Sequence, residues 1–571
     1  MRKPAAKVRA PLQPGAAARL KRSDGPCLDS GILGYLPYNE IVFSGEALVP
    51  QQLSLPLSRL KWTLVEYRRP ILWALGIFFF VYSYFIFNFI FGNHDWGMVF
   101  KPYSWSAKAW QSRPFALIPL QLSQGFYLPV LTPVISLFAY FGAGVLFLAL
   151  FTGDISNRRV FFLTLLLFLL YPTLLGRIYY EGAGIGENVA LFCFLLGVNC
   201  ALYCKGILSF FICVMLFTFS LGVNQCIINS FWTIFLIIVL YYINNKYNIL
   251  NICVRRYCGG FLVALCIYLV FIKIIIPDTN NYNNQIGTLK AVFENLLPQL
   301  KASLGYFWQA QPPMNVFFKA LFTLICIGGF WKLITCADIS IHKQVILYLS
   351  PAARRAIRII LILLLIMTNN VSAYVSGLET ASTFNLRIDY YSIPFILSFC
   401  AFAALEFRGL RGHLFTAAAV LLVVLSMGSD VRALQVWKIS IDDDILYANR
   451  MLARIEAAPE FDAGRSWRML ALGERPVFSR RFYSGYKHTS LELQRPMHLG
   501  GYNFAHVFNY IAPNLNISNF WGDAKKVCAQ NRDFLDTAPA WPKPGSLRID
   551  SEQGLILVVL DTAAARRYCP R

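Results

Sequence analysis

The residues best suited to chemistry in this chain sit in short polar stretches between long apolar runs. The densest is Gly92-Asn93-His94-Asp95-Trp96-Gly97, followed by Trp105, Trp110 and Gln111-Ser112-Arg113-Pro114-Phe115. An aspartate can take a proton from an attacking hydroxyl, and His94 beside it could tune that basicity or bind a sugar hydroxyl. Arg113 offers a planar fork suited to phosphate, and equally a headgroup for snorkelling into the lipid interface. A second stretch, Gly176 to Asn188, places Arg177, Glu181 and Glu187 among four glycines that allow close backbone approach. A third holds Asn224-Gln225, amides that would bond a sugar or cap a helix. The last, Asn385 to Tyr391, contains Arg387 and Asp389, a pair that fits a structural ion pair as well as a phosphate clamp.

What must position these residues is a set of membrane helices. Of 571 residues, 57% are hydrophobic and 14% charged, and the mean hydropathy of +0.51 excludes an ordinary soluble protein. Apolar stretches fall at about 71–91, 128–151, 160–175, 189–203, 207–223, 226–243, 259–276, 315–336, 356–373, 388–405 and 414–427. Each is near the length that crosses a bilayer core, the shorter ones borrowing interfacial flanks, so about eleven spans are expected. Nearly all ionisable groups of the membrane region lie at predicted span ends or in the polar stretches between spans. Trp-rich flanks such as Trp105 and Trp110 suit an interfacial loop.

The net charge of +22 raises nucleic acid as a partner, but no basic stripe with a reading motif accompanies it. Topology accounts for it instead. With the N-terminus inside, the cytoplasmic part of residues 71–427 holds 13 Lys/Arg against three acids. The outer part holds nine Lys/Arg against seven acids, as the positive-inside bias requires. Three segments follow: 1–70, a basic, partly disordered cytoplasmic leader; 71–427, the membrane domain; and 428–571, an extracytoplasmic α+β domain. In that last segment Asp443 to Ala457 has helical apolar spacing and Gly554 to Leu560 reads as a strand. Its two cysteines, Cys528 and Cys569, form a disulfide or stay free, since nothing in the sequence fixes their distance. No metal-ligand spacing or phosphate-binding glycine loop is evident.

An acidic residue before Trp-Gly at the top of the first span, then an Arg-Pro segment leading through Leu-Pro into the second, resembles the bacterial type II glucosyltransferases of O-antigen serotype conversion. More broadly the layout is similar to the GT-C superfamily. Asp95-Trp96-Gly97, Arg113-Pro114 and Gln225 carry the likeness, which is sharp only around 93–130. The family pattern has two acids before the Trp, where this chain has His94 and Asp95. Ser112 stands where a Gly often precedes the Arg-Pro.

The resemblance implies a glycosyltransferase, a hexosyltransferase of a bacterial inner membrane, using a polyprenyl-phosphate-linked sugar and a lipopolysaccharide O-antigen or similar surface glycan on the periplasmic face. Asp95 would be the general base of an inverting displacement. Arg113, Arg177 and Arg387 would hold the donor phosphate. His94, Trp96, Glu181, Glu187, Gln225 and Asp389 would contact substrate. Arginines alone can manage a monophosphate leaving group, so no metal or cofactor is expected. A donor-synthesising glycosyltransferase and a flippase would be upstream partners. An O-antigen polymerase or ligase, and a non-enzymatic lipid-linked-oligosaccharide flippase or transporter, are the alternatives. The first usually carries a large loop between spans, and the second wants functional charges in mid-span.

Overall fold

The computed structural model describes residues 56–90, 113–151, 157–178, 184–203, 206–245, 253–275, 316–335, 351–368, 392–473, 504–520 and 524–569. All of these belong to one unit, Gln52–Arg571. Each of the eleven apolar stretches contains a helix. With three further short helices, α1, α3 and α6, the α-helices up to Glu456 among the described residues are, in chain order, α1 (Pro56–Glu66), α2 (Arg68–Phe87), α3 (Leu117–Leu120), α4 (Leu131–Ala149), α5 (Arg158–Leu169), α6 (Thr173–Ile178), α7 (Ile185–Tyr203), α8 (Ile207–Val223), α9 (Ile227–Asn245), α10 (Gly259–Ile275), α11 (Val316–Thr335), α12 (Pro351–Met367), α13 (Ile393–Leu405) and α14 (Gly409–Glu456).

Local chemistry sets the ends of these helices. Asn157 accepts from the Arg159 N–H at 2.9 Å and starts α5. Pro172, which lacks a donor, separates α5 from α6. Arg358, buried on α12, donates to the Ile334 carbonyl at 3.1 Å and satisfies an otherwise orphan acceptor in the last turn of α11. Six helices are long and apolar enough to cross a membrane among the described residues: α2, α4, α7, 255–274 including α10, α11 and α14. The chain is therefore a polytopic helical membrane protein by length and composition. Shorter apolar helical stretches lie at Ile207–Val223 in α8, Ile227–Tyr242 in α9 and Ile393–Leu405 in α13.

Contacts between helices sort into two ends. At one end the Tyr203 and Tyr242 hydroxyls donate to the Leu150 carbonyl, and Arg158 pairs with Glu66 at 2.8 Å. At the other, Asn188 donates to Ser136 at 2.8 Å, and Tyr127 donates to the Ile90 carbonyl at 2.6 Å. Small residues let the helices close up. A Cβ on Gly329 of α11 would come within 2.4 Å of the Cys400 carbonyl of α13.

Helix α14 departs from the expected layout. The boundary read at 427/428 falls inside it, and the helix runs on to Glu456, about 72 Å in all. The apolar run ends near 427, but the buried face does not. Asp430, Leu434, Trp437, Ile441, Asp444, Ala448, Met451 and Ile455 are all buried and recur at alternating steps of four and three. Polar residues on the other face hid this seam from a hydropathy reading.

Beyond α14 the chain forms a four-stranded sheet from β1 (Trp467–Leu472), β2 (Ile517–Asn519), β3 (Leu547–Asp550) and β4 (Leu555–Val559), in the order β2-β1-β4-β3. β1 runs parallel to β2 and β4, and β3 is antiparallel to β4. Alternation gives the sheet two buried faces. Trp467, Met469, Ile556 and Val558 join the core shared with α14 and α15 (Phe504–Ile511). Leu472, Leu555, Leu557 and Val559 face the smaller clusters that include α16 (Ala524–Gln530), α17 (Arg532–Thr537) and α18 (Thr562–Tyr568). The helix read at Asp443 to Ala457 and the strand read at Gly554 to Leu560 are both present, as the end of α14 and as β4. Cys528 and Cys569 are disulfide-bonded, with Cα atoms 5.4 Å apart.

Candidate functional site

Arg113, Glu187 and Gln225 lie far apart in sequence and meet at one end of the bundle. The Arg113-Pro114-Phe115 turn is clamped against α8: the Phe115 N–H donates to the Gly222 carbonyl at 3.1 Å. The Phe115 ring sits between Phe219 and Phe271, 6.3 and 5.4 Å between centroids. It also lies so close over Gly222 that a Cβ there would be 2.2 Å from Cδ2. This clamp keeps Arg113 within electrostatic reach of Tyr268 of α10, whose buried phenol is hydrogen-bonded to the Gln225 side chain.

One residue away, Asn224 donates to Glu187 Oε1 at 2.8 Å and also accepts from the Cys226 N–H at 3.0 Å. Glu187 stands in the first turn of α7, where the helix dipole favours a carboxylate. Its neighbour Asn188 is bonded to Ser136 of α4. The turn between α8 and α9, the start of α7, the start of α4 and the C-terminal half of α10 therefore share one polar floor. Its chemistry is mixed: a guanidinium for an anion, amides and a phenol for hydroxyl-rich ligands, and a buried carboxylate.

A second polar knot closes the ends of three helices. Thr233 Oγ1 of α9 lies 2.8 Å from Thr368 Oγ1 after α12 and 2.9 Å from Ser392 Oγ before α13. These hydroxyls also bond backbone carbonyls of Asn229, Leu365 and Thr368, so the knot reads as structural side-chain-to-backbone bonding between helices.

His94, Asp95, Trp96, Glu181, Arg387 and Asp389 lie outside the described residues. Arg177 belongs to α6, and its side chain is likewise outside them. Among the described residues no three His, Cys, Asp or Glu side chains gather as metal ligands would. Tyr268 escaped the sequence reading because a single Tyr inside Gly259–Ile275 is indistinguishable from a span aromatic. Asp430 escaped it because a span ending at 427 assigns it to a solvated tail.

Set beside known proteins, this chain matches no family model and no curated protein.

Proposed function

We propose that this protein is an inverting membrane glycosyltransferase. It moves a sugar from a polyprenyl-phosphate donor to a surface glycan such as an O-antigen, on the outer face of a bacterial inner membrane. The observation that carries the reading is the convergence of Arg113, Gln225 and Glu187 on one end of the bundle, joined there by Asn224 and Tyr268. That end also meets the C-terminal unit. Phe89 stacks on Tyr510 of α15 at 6.2 Å, while Ile90 accepts from Tyr127. The disulfide in that unit suits an oxidising compartment, so the polar end faces outward, in keeping with the basic residues gathered at the opposite end. Eleven crossings, an inner N-terminus and an outer C-terminus belong to this reading.

On this reading Asp95 removes the acceptor proton as the hydroxyl attacks the anomeric carbon. The C–O bond to phosphate breaks, and the prenyl phosphate leaves with charge held by Arg113, Arg177 and Arg387. His94, Trp96, Glu181, Glu187, Gln225 and Asp389 hold the sugars, and no metal is needed for a monophosphate leaving group. The test compares surface polysaccharide from cells with and without the protein. Loss of a side-branch sugar supports the reading, whereas altered chain length points to a polymerase or ligase and no change to neither. Asp95→Asn in membranes should abolish transfer at normal expression, and retained transfer would remove Asp95 as the base.

A further inference from the structure

Asp430 of α14 is fully buried, and the hydroxyl of Tyr82 on α2 donates to its Oδ2 at 3.0 Å. Among the described residues no hydrogen-bond partner reaches its buried Oδ1. A carboxyl group in this state is a poor source of stability. Desolvation costs more than one hydroxyl bond returns, and an apolar residue of similar volume would fill the seam better. Yet the group stands at a seam position whose equivalents one turn and two turns on are Leu434 and Trp437.

The physical use of such a residue is register. A seam that repeats every seven residues fits its neighbour nearly as well after a slip of one repeat, about 10 Å along the helix. A single polar contact in the seam excludes the slipped alignment at some cost in stability. Seven residues beyond Asp430, Trp437 stacks on Phe85, 6.0 Å between centroids and three residues beyond Tyr82. The two contacts rise together along both chains, so α2 and α14 run in the same direction. Farther along, α14 carries the sheet unit: Arg454 lies over Trp541 at 4.7 Å and donates to the Pro542 carbonyl at 2.7 Å.

We propose that Asp430, through Tyr82, pins the register of α14 against α2 and so sets the height of the C-terminal unit over the polar end of the bundle. Asp430 is thus a positioning residue, and its effect on catalysis rests on the transfer activity proposed above.

The test places a benzophenone photo-crosslinker at residue 85 of the full-length protein in membranes and maps the adducts on α14 by mass spectrometry. Adducts should centre on Trp437 in the parent, spread by a turn or more in Asp430→Leu, and return to Trp437 in Asp430→Asn, whose amide oxygen still accepts from Tyr82. Adducts unchanged in Asp430→Leu would overturn the pin. If Asp430→Leu does not accumulate, Tyr82→Phe decides: it removes one hydroxyl, and adducts still centred on Trp437 would likewise overturn it. Turnover in either slipped variant should fall about tenfold or more with donor KM nearly unchanged. Absence of transfer in the parent would sink the proposed function and leave the mapping to judge the pin by itself.

Discussion

Asn224 donates a 2.8 Å hydrogen bond to the Glu187 carboxylate, tying the turn after α8 to the first turn of α7. Both side chains are buried, so the bond works in surroundings where a lost donor is expensive. Asn224→Leu should lower stability by about 1–3 kcal/mol, read as thermal unfolding in detergent. Glu187→Gln keeps the acceptor oxygen and should cost clearly less. The reverse ranking would show that the charge of Glu187, and not its bond to Asn224, holds this corner.

The clamp on Arg113 gives a sharper prediction. Gly222→Ala places a Cβ where the Phe115 ring already lies, at 2.2 Å, so the Arg113-Pro114-Phe115 turn must shift. Donor use should weaken with little change in expression. Arg113→Lys should weaken it too, because an ammonium lacks the planar fork. Donor KM values equal to the parent's in both variants would leave Arg113 a lipid-headgroup contact.

The Cys528–Cys569 bridge closes a stretch of 41 residues that includes β3 and β4. In the chain-entropy account a loop of that size contributes about 4 kcal/mol. Cys569→Ser should therefore lower the unfolding temperature of the sheet unit. In the parent, a bulky maleimide should label these two positions only after reduction. Labelling without reductant in protein taken directly from cells would remove the bridge and, with it, the argument for an oxidising side.

Asp533 of α17 supplies a pH test in the sheet unit. The backbone N–H of Phe534 and then Arg548, which donates to both carboxylate oxygens at 3.1 and 2.9 Å, hold its acid form below the usual carboxylate range. A lowered folded-state value means that its contribution is present above the ordinary aspartate value and lost as pH falls through the lowered one. Arg548→Gln should therefore be slightly less stable than the parent near neutrality and equal to it in strong acid. Thermal melts across that range check the sign, and a difference that grows in acid would contradict it.

The sequence by itself determined that each of the eleven apolar runs holds a helix, because runs of this hydropathy leave few alternatives to helices that satisfy their own backbone. It also located Arg113, Glu187 and Gln225, since ionisable and amide groups next to such runs stand out. Folding decided what those residues face. Gln225 bonds Tyr268 and Glu187 bonds Asn224 because α7 to α10 pack side by side, and a linear pattern carries no record of which helices are neighbours. The long reach of α14 was hidden for a related reason. Hydropathy averages over a helix, while burial acts on one face, so a charged run around Asp442 and Asp443 masks a seam that is buried throughout. Only the tertiary structure shows Asp430 inside that seam, where Tyr82, 348 residues away, reaches it.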